Sequence, residues 1–323
     1  MNCGIRHIQN SNTYEVECDQ LAYIAALKPI VHTLVSSALP ECALTPELLA
    51  LFVSLLGAVA YALLTRWDIA VYVSALQRAG SKATIIHIRR LNAVVRWIQR
   101  NPKSIVYARL SSSSSSFTKL VGISDSAFKR EGDEGHAMRG ALIARMSGDP
   151  DHLASGPVHL LEDVCSKQKH VVRATFSAEL FQACDTTDLV ISIAQAIHEI
   201  TVGRASPSET RRLREVGGFA NALWIVVDAN SVFAAITVLT QPRTPTEKSL
   251  LGHLLFLREL LDKDVLHGIA WVDTRDMVSD GLTKGSVNRA ALHELFSGKW
   301  TIHHPHEEWR SSRPRQPNPT DAD

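Results

Sequence analysis

The chain has 323 residues, of which 45% are hydrophobic and 21% are charged. This composition predicts a folded protein long enough for two domains, and it excludes a wholly disordered chain. The formal net charge of +1 excludes nucleic-acid binding driven by overall charge, so any such binding would need local basic patches.

The cysteines and the N-terminus together predict an intracellular protein, in the cytoplasm or the nucleus. The first residues, MNCGIRHIQ, lack the charged and then apolar pattern of a signal peptide. An odd number of cysteines without a C-x-x-C pair argues for a reducing compartment and against a zinc ribbon. The cysteines are Cys3, Cys18, Cys42, Cys165 and Cys184.

Residues 1–110 are predicted to be mainly helical after a short hairpin whose turn lies at residues 10–12. Helices are expected at residues 19–30, 46–64, 68–79 and 87–100. In the last of these, Arg89, Arg96 and Arg100 fall near one face. They could form an ordinary solvated face, or a stripe that contacts phosphates beside Trp97.

The stretch 48–64 contains no charged residue and is at the short limit for a membrane span. We interpret it as a helix of the protein core and expect no membrane association. A membrane-anchored protein is the alternative hypothesis for this stretch.

A run of six serines at 111–116 predicts a linker, placed at residues 111–118. Residues 119–300 then change to an α/β pattern, a mixed sheet flanked by helices. Residues 301–323 are rich in proline and mixed charge, which predicts a disordered tail. The elements expected after the linker are strands within 117–128, 138–146 and 156–165, a helix at 177–200, a strand at 222–228, helices at 230–239 and 246–261, a strand at 266–272 and a helix from 276.

Four acidic residues occupy distinctive places in this order of elements. Asp125 ends or interrupts the first strand, Glu179 lies in the first turn of the first helix, Asp228 ends the fourth strand and Asp280 lies in the last helix. Taken singly, they could be a turn cap, a partner of the helix dipole, an N-cap and a surface charge. Taken together, they predict a cluster of carboxylates that binds metal.

Hydrolysis of a phosphodiester with two metal ions suits such a cluster. It needs oxygen ligands for two Mg²⁺ ions about 3.5–4 Å apart, one ion to activate water and one to stabilise the leaving oxygen. Carboxylates and water are the ligands that Mg²⁺ prefers over imidazole or thiolate.

Several blocks of the sequence resemble the C-terminal part of the Pol polyprotein of a copia-type retrotransposon. The block LLGAVAYALLTRWDIAVYVSALQR is similar to one in that family's polymerase connection region, with Trp67 where proline is usual. Four further blocks resemble segments that carry the acids of its ribonuclease H domain: LVGISDSAF, TFSAELFQACDTTD, VVDANSVFAAI and DMVSDGLTKG. By this resemblance the four acids are, in order, Asp125, Glu179, Asp228 and Asp280.

The resemblance implies a ribonuclease H-like domain at 119–300, preceded at 1–110 by the palm end and the thumb and connection region of a reverse transcriptase. It implies hydrolysis of the RNA strand of RNA–DNA hybrids with two Mg²⁺ or Mn²⁺ ions. The implied partners are the hybrid and the remainder of a reverse transcriptase. The paired aspartates of a polymerase site are absent, so we expect no polymerase activity from this chain alone.

The block RTPTEKSLLGHLLFLREL resembles a helix of the same domain. Arg243, Lys248 and His253 could meet the backbone of the hybrid, and a solvated helix face is the alternative interpretation. A second function stays open for the whole chain: an inactive retroelement fragment that binds nucleic acid or serves as a structural module. Such a fragment would bind hybrids with a strong salt dependence and would not cleave them.

Overall fold

The computed structural model describes residues 4–110, 118–128, 137–169, 171–238, 245 and 247–310. Up to residue 110 these residues form a mainly helical layer with a small sheet, as the sequence predicts. The elements there are β1 (Arg6–Gln9), β2 (Val16–Asp19), α1 (Leu21–Ala26), α2 (Thr33–Ser37), α3 (Pro46–Tyr61), α4 (Ala70–Ala79), α5 (Ile85–Arg100) and β3 (Ile105–Tyr107).

The local sequence explains where the main helices begin. The Thr45 side chain accepts a hydrogen bond from the Leu48 backbone N–H, and Pro46 occupies the first helical position of α3. Thr84 and His87 form a capping box at the start of α5. The helix predicted to begin at Asp68 starts instead as a 3-10 turn, Trp67–Ile69, before α4.

The rest of the chain forms an α/β fold. Of the linker predicted at 111–118, only Thr118 lies within the described residues, where it begins β4. The elements are β4 (Thr118–Ala127), β5 (Met138–Ser147), β6 (Gly156–Lys167), α6 (Thr175–Thr201), α7 (Pro207–Val216), β7 (Ala222–Val227), α8 (Asn230–Thr237), α9 (Leu251–Asp262), β8 (Gly268–Trp271), α10 (Asp280–Thr283), α11 (Ala290–Glu294), β9 (Lys299–Trp300) and β10 (Glu307–Trp309).

Seven of these strands form one mixed sheet in the order β10-β8-β7-β4-β5-β6-β9. Strands β4, β7 and β8 are parallel, and the remaining neighbours are antiparallel. The predicted mixed sheet flanked by helices is therefore present. The central strands are buried on both faces, which explains the continuous apolar sequence ALWIVV of β7.

Each face of the sheet packs against a different layer, because alternate residues of a strand point to opposite faces. Leu120 and Ile225 face α6, α8 and α9. Val121 and Val226 face a core that also contains Trp67 of the helical layer. The N-terminal part therefore covers one face of the sheet directly.

The predicted tail is partly ordered, which corrects the expectation of disorder from residue 301. Strand β10 pairs antiparallel with β8, and Trp309 lies opposite Ile269. Residues 303 and 304 are also held, because their backbone N–H groups donate to the Asp276 carboxylate at 3.0 and 2.8 Å. Residues 311–323 lie outside the described residues.

One helix in the described residues, Pro46–Leu64, is long and apolar enough to cross a membrane by length and composition alone. One such helix is weak evidence for a membrane span. One face of it, with Phe52 and Val59, is buried in the helical core, whereas Leu51 and Val53 are exposed. The helix is thus a core helix on one side only.

Candidate metal centre

The register of the central strands explains the positions of two of the predicted acids. Ser124 of β4 lies beside Val227 of β7 in a parallel pair, so the next residues along, Asp125 and Asp228, lie at neighbouring positions at the same end of the sheet. Asp125 lies inside β4, one of the two placements that the sequence predicts, and its side chain is fully buried.

Glu179 reaches the same end of the sheet from α6. The helix begins at Thr175, so Glu179 lies in its second turn, which corrects the first-turn placement. Its carboxylate is 5% exposed and accepts a hydrogen bond from the Ser126 backbone. Since Ser126 directly follows Asp125 in β4, the bond fixes α6 relative to the strand.

Asp228 is held by donors from the end of β8 and from the loop that follows it. Thr274 Oγ1 donates to Asp228 Oδ2 at 3.1 Å, and the Trp271 indole N–H donates to the Asp228 carbonyl at 2.8 Å. The N-cap position of α8 belongs to Ala229 and not to Asp228. The interpretation of this acid as a helix cap is therefore wrong.

These three acids form a compact group. Each of Asp125, Glu179 and Asp228 offers a carboxylate oxygen that lies within 4.8 Å of the other two. The three side chains come from a strand, a helix and a strand end that are more than forty residues apart in sequence. Such a group could hold a metal ion, as the sequence predicts.

Asp280 lies beside this group at the start of α10. Its Oδ1 atom is 2.5 Å from Lys284 Nζ, and the same ammonium is 3.4 Å from Asp125 Oδ1. Thr283 also donates a short hydrogen bond from its hydroxyl to the Asp125 carboxylate. Sequence reasoning did not identify Lys284, although its i+4 spacing from Asp280 on a predicted helix is a signal for such a pair.

A glycine lets α10 approach the strands closely. Gly140 lies opposite Asp125 in the β4–β5 pair. A Cβ atom there would lie 2.7 Å from Thr283 Cγ2, which is too close for any real contact. Only glycine at this position allows Thr283 and Lys284 to reach Asp125.

Burial and neighbouring negative charges raise the pKa values of Glu179, Asp228 and Asp280. Burial, followed by the charges of Asp125 and Asp228, raises the pKa of Glu179 to about 9. Burial and the charge of Asp125 raise the pKa of Asp228 to about 6 and that of Asp280 to about 7. Burial lowers the pKa of Lys284, but the charges of Asp125 and Asp280 outweigh it, and the net shift is upward.

This electrostatic state suits a divalent cation. Buried carboxylates that repel one another hold protons, and a cation that replaces those protons removes the repulsion. All three donors are oxygens, the ligand type that Mg²⁺ and Mn²⁺ prefer. The residues present therefore fit such an ion.

Three of the residues predicted to contact nucleic acid lie on α5. Arg89 donates to the carbonyls of Val35 and Ala38 at 2.8 and 2.7 Å, so its guanidinium joins α5 to α2. Arg96 and Arg100 are exposed on α5.

The other predicted contacts lie on or near α9. Lys248 is exposed, in a 3-10 turn just before the helix. The His253 ring packs edge-on against Phe181 of α6, with a centroid distance of 4.7 Å. Arg243 lies outside the described residues. Contact with nucleic acid stays a prediction for all six residues.

Comparisons of the chain with protein-family models, with curated proteins and with solved structures find no match.

Proposed function

We propose that this chain is a ribonuclease H-like hydrolase that cleaves the RNA strand of RNA–DNA hybrids with Mg²⁺ or Mn²⁺. The observation that carries the proposal is the group formed by Asp125, Glu179 and Asp228, whose carboxylate oxygens meet within 4.8 Å. The order of the main strands and helices also agrees with the order predicted from the sequence patterns, which supports an α/β domain at this position. The origin in the Pol polyprotein of a copia-type retrotransposon is proposed from the sequence resemblance.

The residues around the acids would keep the ligands in place. Thr274 donates its hydroxyl to Asp228 Oδ2, and Thr283 donates its hydroxyl to Asp125 Oδ2. Lys284 contacts the other oxygen of Asp125 at 3.4 Å. Donors that orient ligands in this way commonly matter almost as much as the ligands themselves. When bound, the divalent ion would polarise the scissile phosphate and promote the ionisation of water.

The hybrid would approach the open side of this group. Asp228 is only half-buried, and the Lys284 side chain is 30% exposed, so this end of the sheet is accessible. Lys248 and the exposed arginines of α5, Arg96 and Arg100, are the groups we propose to contact the phosphate backbone. Contacts of that kind recognise the shape of a hybrid and not its sequence. The remainder of a reverse transcriptase is the protein partner that the resemblance implies.

The test is cleavage of an end-labelled RNA–DNA hybrid in the presence of Mg²⁺ or Mn²⁺. Asp228→Asn is expected to lower the rate more than about 100-fold, because losing even an outer partner of a metal ligand typically costs about 10–100-fold. Asp185→Asn is the matched control, since Asp185 is an exposed acid on α6 that pairs with Arg139. Unchanged cleavage by Asp228→Asn, or hybrid binding without any cleavage by the unmodified chain, would contradict the proposal.

A further inference from the structure

A lysine lies inside the acidic site. Lys284 Nζ is 2.5 Å from Asp280 Oδ1 and 3.4 Å from Asp125 Oδ1, and these acids are 9% and 0% exposed. The ammonium thus bridges two carboxylates that the sequence assigned to metal. The Lys284 ammonium therefore lies between two carboxylates that the sequence predicts to be ligands of a metal ion.

This contact divides the four acids into two sets, one around the candidate metal position and one around the Lys284 ammonium. Asp125, Glu179 and Asp228 bring their oxygens together on one side. Asp280 is outside that group and directs its Oδ1 atom to the ammonium. Asp125 belongs to both sets, as a bridging ligand between two cation positions would.

The charges support the same division. Four carboxylates carry four negative charges, and Lys284 offsets one of them. A single divalent ion at the group of three would then leave one net negative charge, whereas two divalent ions would leave a net positive charge beside a fixed ammonium. Like charges within about 4 Å repel one another strongly where water is partly excluded.

We infer that Lys284 occupies the second cation position, so that the protein binds one divalent ion, at Asp125, Glu179 and Asp228. This inference rests on the proposed function for the identity of the site. It differs from the two ions that the resemblance implies. Lys284 acts as a positioning residue, because it neutralises and orients Asp280 and one oxygen of Asp125.

The test counts Mn²⁺ ions bound to the full chain, with free Mn²⁺ measured by electron paramagnetic resonance at neutral pH. We expect one ion per chain for the unmodified protein. Lys284→Met is expected to bind a second ion at least about tenfold more tightly than the unmodified chain does, because an ammonium within about 4 Å of that position has been removed. Lys263→Met is the matched control, since Lys263 pairs with Glu259 at 2.5 Å with the same i+4 spacing on an exposed helix surface.

Two further variants separate charge from folding. Lys284→Arg keeps the positive charge and should still bind one ion. Asp280→Asn removes the partner of Lys284 and should still bind a single ion. Two ions of similar affinity in the unmodified chain, a single ion in a folded Lys284→Met variant, or loss of the ion in Asp280→Asn would each overturn the inference.

The ion count is independent of cleavage. A chain that binds one Mn²⁺ without cleaving the hybrid supports the role of Lys284 and contradicts the proposed function. A chain that cleaves the hybrid while it holds two ions overturns the role of Lys284 alone.

Discussion

At the scale of single residues, the raised pKa values of the acids link the site to the stability of the fold. Glu179 has a folded-state pKa of about 9, against an ordinary value of 4.5. Between these values the folded protein binds a proton that the unfolded chain has released. The stability that comes from this proton is therefore complete below pH 4.5 and is lost as the pH rises through about 9.

We therefore expect the metal-free protein to become less stable as the pH rises from about 4.5 to about 9. Urea denaturation in the presence of a chelator, at fixed ionic strength, measures the free energy of unfolding at each pH. Glu179→Gln should make the free energy of unfolding depend less on pH above pH 7. In that range Asp228 and Asp280, with pKa values of about 6 and about 7, contribute less to the pH dependence.

A curve that rises between pH 7 and pH 9, or one that Glu179→Gln leaves unchanged, would contradict this expectation. Added Mn²⁺ should bind more tightly as the pH rises through the same range, because the ion must displace the protons.

The sequence predicts the acids better than it predicts their neighbours. Asp125 and Asp228 could be predicted because each comes at or near the end of a buried strand, where a charge is unusual. The contribution of Lys284 could not, because a lysine after a short helix is equally typical of a solvated surface. Its role depends on the close approach of α10 to Gly140, which is a property of the packed fold.

At the scale of elements, the position of α6 decides the position of Glu179. The helix crosses β4 at Gly122, where a Cβ atom would lie 2.6 Å from Val190 Cγ2 and 2.8 Å from Thr186 Cγ2. Both contacts are shorter than real Cβ contacts allow. The absence of a side chain on Gly122 therefore allows the short distance between α6 and the sheet.

Gly122→Ala is expected to destabilise the protein by about 1–3 kcal/mol, because the added methyl group overpacks a tight interface. It should also weaken Mn²⁺ binding, since α6 must shift and Glu179 shifts with it. Chemical denaturation and Mn²⁺ titration measure the two effects.

The matched control for this substitution is Gly252→Ala on α9, where a Cβ atom meets nothing within 4 Å. This change should stabilise the helix by up to about 1 kcal/mol. Equal effects of the two substitutions would contradict the packing argument.

Strand β10 could not be predicted from its own residues. Strand β10 has three residues within a segment of mixed charge and proline, a composition that favours disorder. It is ordered because its backbone pairs with the edge of β8. Long elements with a strong apolar pattern, such as α5, β7 and α6, could be predicted because their own residues determine which face is buried.

At the scale of the whole molecule, the helical layer and the sheet share one core. Trp67 stacks on Phe296 with a centroid distance of 4.2 Å and an angle of 8° between the rings. The Tyr72 hydroxyl donates to the Gly285 carbonyl at 2.7 Å, one residue beyond Lys284. The predicted boundary at residues 111–118 therefore separates two parts of the sequence whose side chains pack together.

We expect the chain to unfold in a single transition, and Trp67→Ala to destabilise all of it by about 3–5 kcal/mol, the usual cost of truncating a buried aromatic residue. Trp97→Ala is the control and should cost less, because Trp97 is 38% exposed. Far-ultraviolet circular dichroism and tryptophan fluorescence, recorded during urea denaturation, would detect any separation into two transitions. Two transitions, with only one shifted by Trp67→Ala, would show that the parts are energetically independent.

The pairing of β10 with β8 has a consequence for synthesis of the protein. About a hundred residues must be synthesised after the central strand β4 before its parallel neighbour β7 exists. The edge of β8 is covered only after residue 309 has been synthesised. Long-range pairings of this kind form slowly, and unpaired strand edges can pair with other chains until the partner strand is in place. A ribosome translating this protein therefore carries an incomplete sheet for most of the elongation time, and that nascent chain is the form most in need of a chaperone.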